Sequence, residues 1–237
     1  MNDFKTIAVV PARGGSKGFP RKNLAMLRGK PLLAYAIEAG LACPAIGRVI
    51  VSTDDQEIAD CARKHGAEVP FMRPSEIAQD DTPDRPVFLH LIDWLRRNEN
   101  YEFDGLVNLR CTTPFKKASD LAAILEILRD EDCSAVRSVT RIDGKNHPYW
   151  VLSRDSEGYA KQFVDGIDLH KYCRRQLLPP AYALNGVIDA MKCRVIEASP
   201  NFYGDKIMLY ETDPLMSVDV DSPKDLALCE SLTEVKA

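Results

Sequence analysis

Short apolar, β-branched runs alternate along this chain with stretches of helical spacing. TIAVVPA (6–12) has the composition of a strand buried on both faces of a parallel sheet. PLLAYAIEAGLA (31–42) follows with helical periodicity, and Pro31 suits the first helical position. RVIVST (48–53) predicts a second strand. DDQEIADCARKHG (54–66) predicts a helix with acids in its first turn, bases in its last and Gly66 as its stop. AEVPFM (67–72) predicts a third strand, at an edge or strand end because of Pro70. PVFLHLIDWLRR (86–97) predicts an amphipathic helix, DGLVNLR (104–110) a strand, ASDLAAILEILRD (118–130) a helix and CSAVRSVT (133–140) a further strand. This alternation specifies a doubly wound, mostly parallel α/β sheet.

The rhythm changes between 141 and 180. HPYWVLSRDSEGYAKQF reads as two strands joined by a polar turn, and HKYCRRQLLPP follows with clustered cations and two prolines. We read this segment as an excursion inserted into an α/β domain made of residues 1–140 and 181–237. ALNGVIDAM (183–191) returns to the sheet, KIMLYET and LMSVDVD predict further strands, and PKDLALCESLTEV predicts a final helix.

Composition narrows the function. A net charge of −4 over 237 residues, with 28% charged and 45% hydrophobic residues, suits a globular protein and argues against wholesale binding of nucleic acid or anionic membrane. No apolar run approaches the ~20 residues of a bilayer span, and the N-terminus opens directly into a strand pattern. The expectation is a cytoplasmic protein. The seven cysteines form no CxxC and the four histidines no ligand pair, so we expect reduced, mostly buried thiols and no zinc site.

Against that acidic background stands VVPARGGSKGFPRKN (9–23). It carries Arg13, Lys17, Arg21 and Lys22, and no acid occurs between Pro11 and Lys30. Ligands of doubly wound sheets sit beyond the carboxyl ends of the strands, where this loop begins. Inward backbone N–H groups of a glycine-rich turn bind phosphate oxygens, and Lys and Arg add charge-assisted hydrogen bonds. Glycines at 14, 15 and 18 fit neither GxxxxGK[ST] nor GxGxxG. Read alone, the loop also permits a plain solvated basic turn. SVDVDSP (217–223) adds a second feature. On a strand, Asp219 and Asp221 share one face with Cβ atoms about 6.5–7 Å apart. Such a pair suits Mg²⁺, which takes one or two carboxylates plus substrate phosphates, although it also suits a solvated strand face. Together the two features point to a Mg²⁺–nucleoside triphosphate site.

Those segments, with GKPLLAYAIEAG, VIVSTDDQEIAD, GAEVPFMRP and SVDVDSPKDL, resemble the acylneuraminate cytidylyltransferases, the CMP-sialic acid synthetases, from about Ile7 to Leu228. The related 3-deoxy-octulosonate enzymes have a shorter loop leading into a leucine-proline-glycine-lysine stretch that is missing here. The resemblance implies a nucleotide-diphospho-sugar transferase-like fold. It also implies transfer of CMP from CTP to the anomeric hydroxyl of a nine-carbon 2-keto sugar acid, with release of pyrophosphate. Arg13, Gly15, Ser16, Lys17, Lys22 and Asn23 would form the nucleotide pocket, with Lys17 at the α-phosphate. Arg73 would read the cytosine. Asp219 and Asp221 would hold Mg²⁺, Asp221 the more direct ligand, so that Lys17, Arg13 and Asp221 carry the catalysis. A metal-linked water or a carboxylate would take the hydroxyl proton. Residues 141–180 match the family's dimerisation arm, and the resemblance implies a homodimer. Within YCRRQLLPPAYALNG, Arg174, Arg175, Gln176 and Asn185 are candidates for the sugar acid. The arginines would bind its carboxylate, one of them across the dimer interface; they would otherwise simply dock the arm.

The chain departs from the family pattern in several places. LRCTTP (109–114) puts Arg110 where glutamine is usual at the sugar and Cys111 where proline is usual. DDTPDRP (80–86) brings Pro83, Asp84 and Arg85 in place of small polar residues, and Asp189 replaces a common tyrosine. Arg110 therefore joins the substrate-binding candidates, and these changes leave the sugar open between N-acetylneuraminate and a relative such as legionaminic or pseudaminic acid. The alternatives are a nucleotidyltransferase for another nucleotide or an eight-carbon acid, and a non-catalytic nucleotide- or sugar-binding protein.

Overall fold

The computed structural model describes residues 4–15, 18–130 and 132–234. In chain order its main elements are β1 (Thr6–Pro11), β2 (Met26–Leu27), β3 (Lys30–Pro31), α1 (Leu32–Leu41), β4 (Arg48–Ser52), α2 (Gln56–Lys64), α3 (Asp84–Glu99), β5 (Gly105–Asn108) and α4 (Ala118–Asp130). They continue as β6 (Ala135–Arg141), β7 (Leu152–Arg154), β8 (Ala160–Gln162), β9 (Tyr182–Lys192), α5 (Cys193–Ala198), β10 (Ile207–Glu211) and α6 (Pro223–Glu234).

Six strands form the central sheet in the order β10-β6-β9-β5-β1-β4. β1 pairs in parallel with β4 and β5, and β10 pairs in parallel with β6. β9 lies between β5 and β6 and runs antiparallel to both. The sheet is thus mixed and mostly parallel, and β1, β4 and β5 are covered on both faces, to which their side chains alternate. Ala8 and Val10 of β1 join Val49 and Val51 of β4 in a core packed by α1, α2 and α4. Ile7 and Val9 point the other way and meet Phe88, Leu91 and Leu95 of α3 and Ile196 of α5. The β-branched runs read as strands have this two-sided burial. Asp55 caps α2, its Oδ1 accepting from the Ile58 N–H at 3.0 Å. Five of the seven cysteines are buried, as expected.

Two expected strands do not form. AEVPFM runs beside the outer edge of β4 but makes only an isolated bridge, Glu68 to Ile50; Pro70 lacks the N–H that would continue a ladder. LMSVDVD becomes a 3₁₀ turn at Pro214–Met216 followed by extended chain. That chain pairs with no strand among the described residues. Its recorded backbone tie is Val220 N–H to Thr112 O at 2.7 Å. The alternation argued for it still holds, since Val220 is buried while Asp219 and Asp221 are exposed.

After Arg141 the chain leaves the sheet, carries the β7–β8 hairpin and returns at Tyr182. The base of this segment is tied by Ile142 N–H to Ala181 O at 2.8 Å, by buried His147 to Pro179 O at 3.0 Å, and by the Trp150 indole N–H to Tyr172 O at 2.7 Å. Leu152, Tyr159, Phe163 and Leu177 are exposed on the segment.

Candidate active site

β1, β4 and β5 end on one side of the sheet, and Arg13, Lys22, Asn23, Arg73, Arg110 and Asp221 collect there. Beyond Pro11 the glycine-rich loop leans on the loop after β4. Gly14 N–H donates to Asp54 Oδ1 at 2.9 Å, and Arg21 pairs with Asp55 and Glu57. A side chain at Gly14 would collide with Asp55, whose Oδ2 lies 2.7 Å from where its Cβ would stand. Among the described residues nothing lies within 4 Å of where a Cβ at Gly15 would stand. Asn23 is buried and donates from Nδ2 to Arg13 O at 3.0 Å. It holds the loop's shape from beneath. Ser16 and Lys17 lie outside the described residues.

The loop borders a cavity of about 410 Å³. Arg13, Lys22, Arg73 and Arg110 line it with Asp80, Asp84 and Asp221. Its cations are matched to carboxylates: Arg13 pairs with Asp80, and Lys22 Nζ lies 2.8 Å from Asp221 Oδ1. Arg73 is buried at the end of β4, donating from Nε to Ser52 Oγ at 3.0 Å and from Nη2 to Ser52 O. Burial lowers its pKa to about 10.

On the far side of Arg110 lies a second, shallower cavity of about 460 Å³, lined by Arg110, Arg137, Asn185, Asp189 and Asp219 among others. Between the cavities runs a polar network. Arg110 donates from Nη1 to Asp189 Oδ2 at 2.9 Å and from Nη2 to Asp84 Oδ2 at 2.5 Å. Arg137 Nε donates to Asp189 Oδ1 at 2.9 Å, and the Tyr203 hydroxyl donates to Asp189 Oδ2 at 3.1 Å. The two carboxylates raise the Arg110 pKa against the opposing effect of burial, and burial with Asp189 beside it raises Tyr203 to about 12. Asp84, Arg110, Asp189 and Arg137 therefore form one charge-compensated set. Both terminal nitrogens of Arg110 are paired with protein carboxylates, and its side chain lines both cavities.

Asn185 lines the second cavity and is held there by the fold, donating to Thr140 Oγ1 and Thr212 Oγ1 at 3.0 and 2.7 Å and accepting from Ser138 Oγ at 2.6 Å. It fixes the start of β9. Arg174, Arg175 and Gln176 are exposed on the inserted segment and line neither cavity. Arg175 packs against Gly144. Lys116 was missed by sequence reading. Its Nζ donates to Arg110 O at 2.6 Å, to Thr113 O, and to Thr113 Oγ1 at 2.8 Å, pinning the turn that carries Arg110. Burial pushes its ammonium down to about 7. Asp80 and Asp54 were missed too, although acids after the strand beside β1 are natural partners for a cationic loop.

Fold and site together define an α/β protein of the nucleotidyltransferase class. A family model described as cytidylyltransferase matches residues 7–237, and the chain belongs to that family. It is 37% identical over 240 residues to a CMP-N,N'-diacetyllegionaminic acid synthase of Legionella pneumophila, covering 98% of this chain and 97% of that one. It is 30% identical to an N-acylneuraminate cytidylyltransferase of Escherichia coli, covering 98% of this chain and 53% of that one. Its fold matches that of a CMP:2-keto-3-deoxy-manno-octonic acid synthetase solved with CTP, with a TM-score of 0.72, 19% identity and coverage of 98% and 100%.

Proposed function

We propose that this cytidylyltransferase transfers CMP from CTP to the anomeric hydroxyl of a sialic-acid-like nine-carbon 2-keto sugar acid, releasing pyrophosphate. The observation that carries the proposal is the pair of cavities meeting at Arg110, one bounded by the cationic loop and Asp221, the other by Asp219 and Arg137. A nucleotide in the first and a sugar in the second would bring the two reacting groups together beside Arg110. The legionaminic and N-acylneuraminic acid relatives support this choice of sugar class.

An anomeric hydroxyl is a weak nucleophile, so the protein's contribution is in-line positioning and neutralisation of the phosphates. Arg13 and Lys22 would exchange Asp80 and Asp221 for phosphate oxygens, and the loop N–H groups around Gly15 would add donors. Lys17 stands in the same loop and serves the α-phosphate in this reading. Arg73, fixed by Ser52, faces the nucleotide cavity and would read the base. Asp219 and Asp221 would hold Mg²⁺. Their hard oxygens, exposed on one side of Val220, suit that ion, and Mg²⁺ needs no larger protein cage when phosphates complete its shell. No group of three or more His, Cys, Asp or Glu residues arranged to hold a metal occurs among the described residues. When bound, Mg²⁺ would neutralise charge developing on the transferred phosphate.

The exposed apolar residues of the inserted segment support a homodimer built through it. No helix among the described residues is long and apolar enough to cross a membrane, and we propose a cytoplasmic site of action on a free nucleotide. Calorimetric titration with CTP, ATP, GTP and UTP, with Mg²⁺ and then with chelator, tests the nucleotide half of the reading. The expected result is Mg²⁺-strengthened binding of CTP above the others; equal binding of all four would contradict it.

A further inference from the structure

In the second cavity the structure presents a guanidinium that no carboxylate encloses. Arg137 sits on β6 directly across from Asp189 on β9, and Asp189 is in turn across from Asn108 on β5. Only its Nε is engaged, with Asp189 Oδ1 at 2.9 Å. Its guanidinium lies over the Tyr203 ring, 3.9 Å from the centroid. Both contacts fix the plane of the group. The terminal nitrogens, Nη1 and Nη2, have no protein acceptor among the described residues, while the side chain lines the cavity and is 17% exposed.

Charge makes this fork informative. Asp84, Arg110, Asp189 and Arg137 sum to zero, with Asp189 buried and accepting from three donors. Asp219 on the same cavity adds a negative charge, so an anion entering there needs a cation of its own. Arg110 has committed both terminal nitrogens, whereas Arg137 retains a planar pair with the spacing of a carboxylate. Within one chain, Arg174 and Arg175 are outside the cavity. The geometry points to Arg137 as the residue that anchors the carboxylate of the sugar acid, with Asp189 and Tyr203 as its positioning residues. This inference rests on the sugar-acid reading above and names the group that recognises the acid.

The test is steady-state kinetics of the full chain with CTP, Mg²⁺ and whichever of N-acetylneuraminic, legionaminic or pseudaminic acid supports pyrophosphate release. The C1 carboxamide of that acid serves as an uncharged comparison, read by turnover or by competitive inhibition. Arg137→Gln should raise KM for the acid about 10- to 100-fold, the loss of a charge-assisted pair, while KM for CTP changes less than about threefold. The preference for acid over carboxamide should collapse in the same variant. Arg137→Lys keeps a charge beside Asp189 but loses the planar fork. It should show an intermediate KM with a melting temperature near that of the parent, which keeps the test valid if Arg137→Gln fails to fold. An unchanged KM and undiminished acid preference in a folded Arg137 variant would overturn the inference while leaving the function standing, as would transfer of the whole effect to Arg174→Ala with Arg175→Ala. Silence of the parent protein with every acid would remove the function and this inference with it.

Discussion

Arg110 and Asp189 form an ion pair, Nη1 to Oδ2 at 2.9 Å, in which the carboxylate is buried and the cation partly so. The same guanidinium reaches Asp84 at the start of α3. A loop, a strand and a helix start are thereby locked together at the boundary between two cavities. Removing one member of a buried charge set leaves the others uncompensated and costs more than the set contributes when intact.

Arg110→Gln should therefore destabilise the fold by about 2–4 kcal/mol, measured by urea unfolding. In a double-mutant cycle with Asp84→Asn the pair should show a coupling of about 1 kcal/mol or more. Additive effects would mean that the contact carries no stability.

Lys17→Ala should abolish pyrophosphate release while leaving the melting temperature within a few degrees of the parent. The loop is anchored instead by Gly14 on Asp54 and by Arg21 on Asp55 and Glu57. Normal turnover in this variant would take the loop out of the mechanism.

Asp221 faces Lys22 across 2.8 Å. Asp221→Asn should weaken the response of turnover to Mg²⁺ by at least about tenfold in the concentration required, consistent with loss of a charged ligand. Direct Mn²⁺ titration of the CTP complex provides an independent reading. An unchanged metal response would contradict the assignment of Asp221.

How far the fold was legible follows from what hydrophobic pattern encodes. Two-sided burial of β1, β4 and β5 follows from their β-branched runs, and Asp55 capped α2 where acids crowd a helix start. Strand direction does not follow, because an apolar run reads the same both ways. The antiparallel insertion of β9 was therefore invisible in ALNGVIDAM. The strand expected over 217–221 failed for a related reason: alternation was present, but a ladder also needs a neighbour. At the site, the loop and the aspartate pair were visible as patterns because each is contiguous in the sequence. The Asp84–Arg110–Asp189 set was not, since its members are far apart in sequence and each alone looked like a departure at the sugar. The partners that hold Asn185, namely Ser138, Thr140 and Thr212, likewise come from other segments.

Lys116 supplies a pH prediction. Its folded pKa of about 7 lies below the unfolded lysine value near 10.4. Between these values the unfolded chain holds a proton that the folded chain does not, so this group makes stability rise with pH across that interval. Below pH 7 both states are charged, and the full cost of burying the ammonium is present. Lys116→Met should remove the rise, seen as the parent-minus-variant difference in unfolding free energy from pH 7 to 10. A flat difference would show that Lys116 titrates normally.

The central claim is tested most directly by pyrophosphate release from the purified protein with Mg²⁺. The assay crosses CTP, ATP, GTP and UTP against N-acetylneuraminic, legionaminic, pseudaminic and 3-deoxy-octulosonic acids. The account predicts release with CTP and at least one nine-carbon acid, with a CMP-sugar as the second product. Release only with the eight-carbon acid or only with another nucleotide, or CTP binding with no release from any acid, would contradict it.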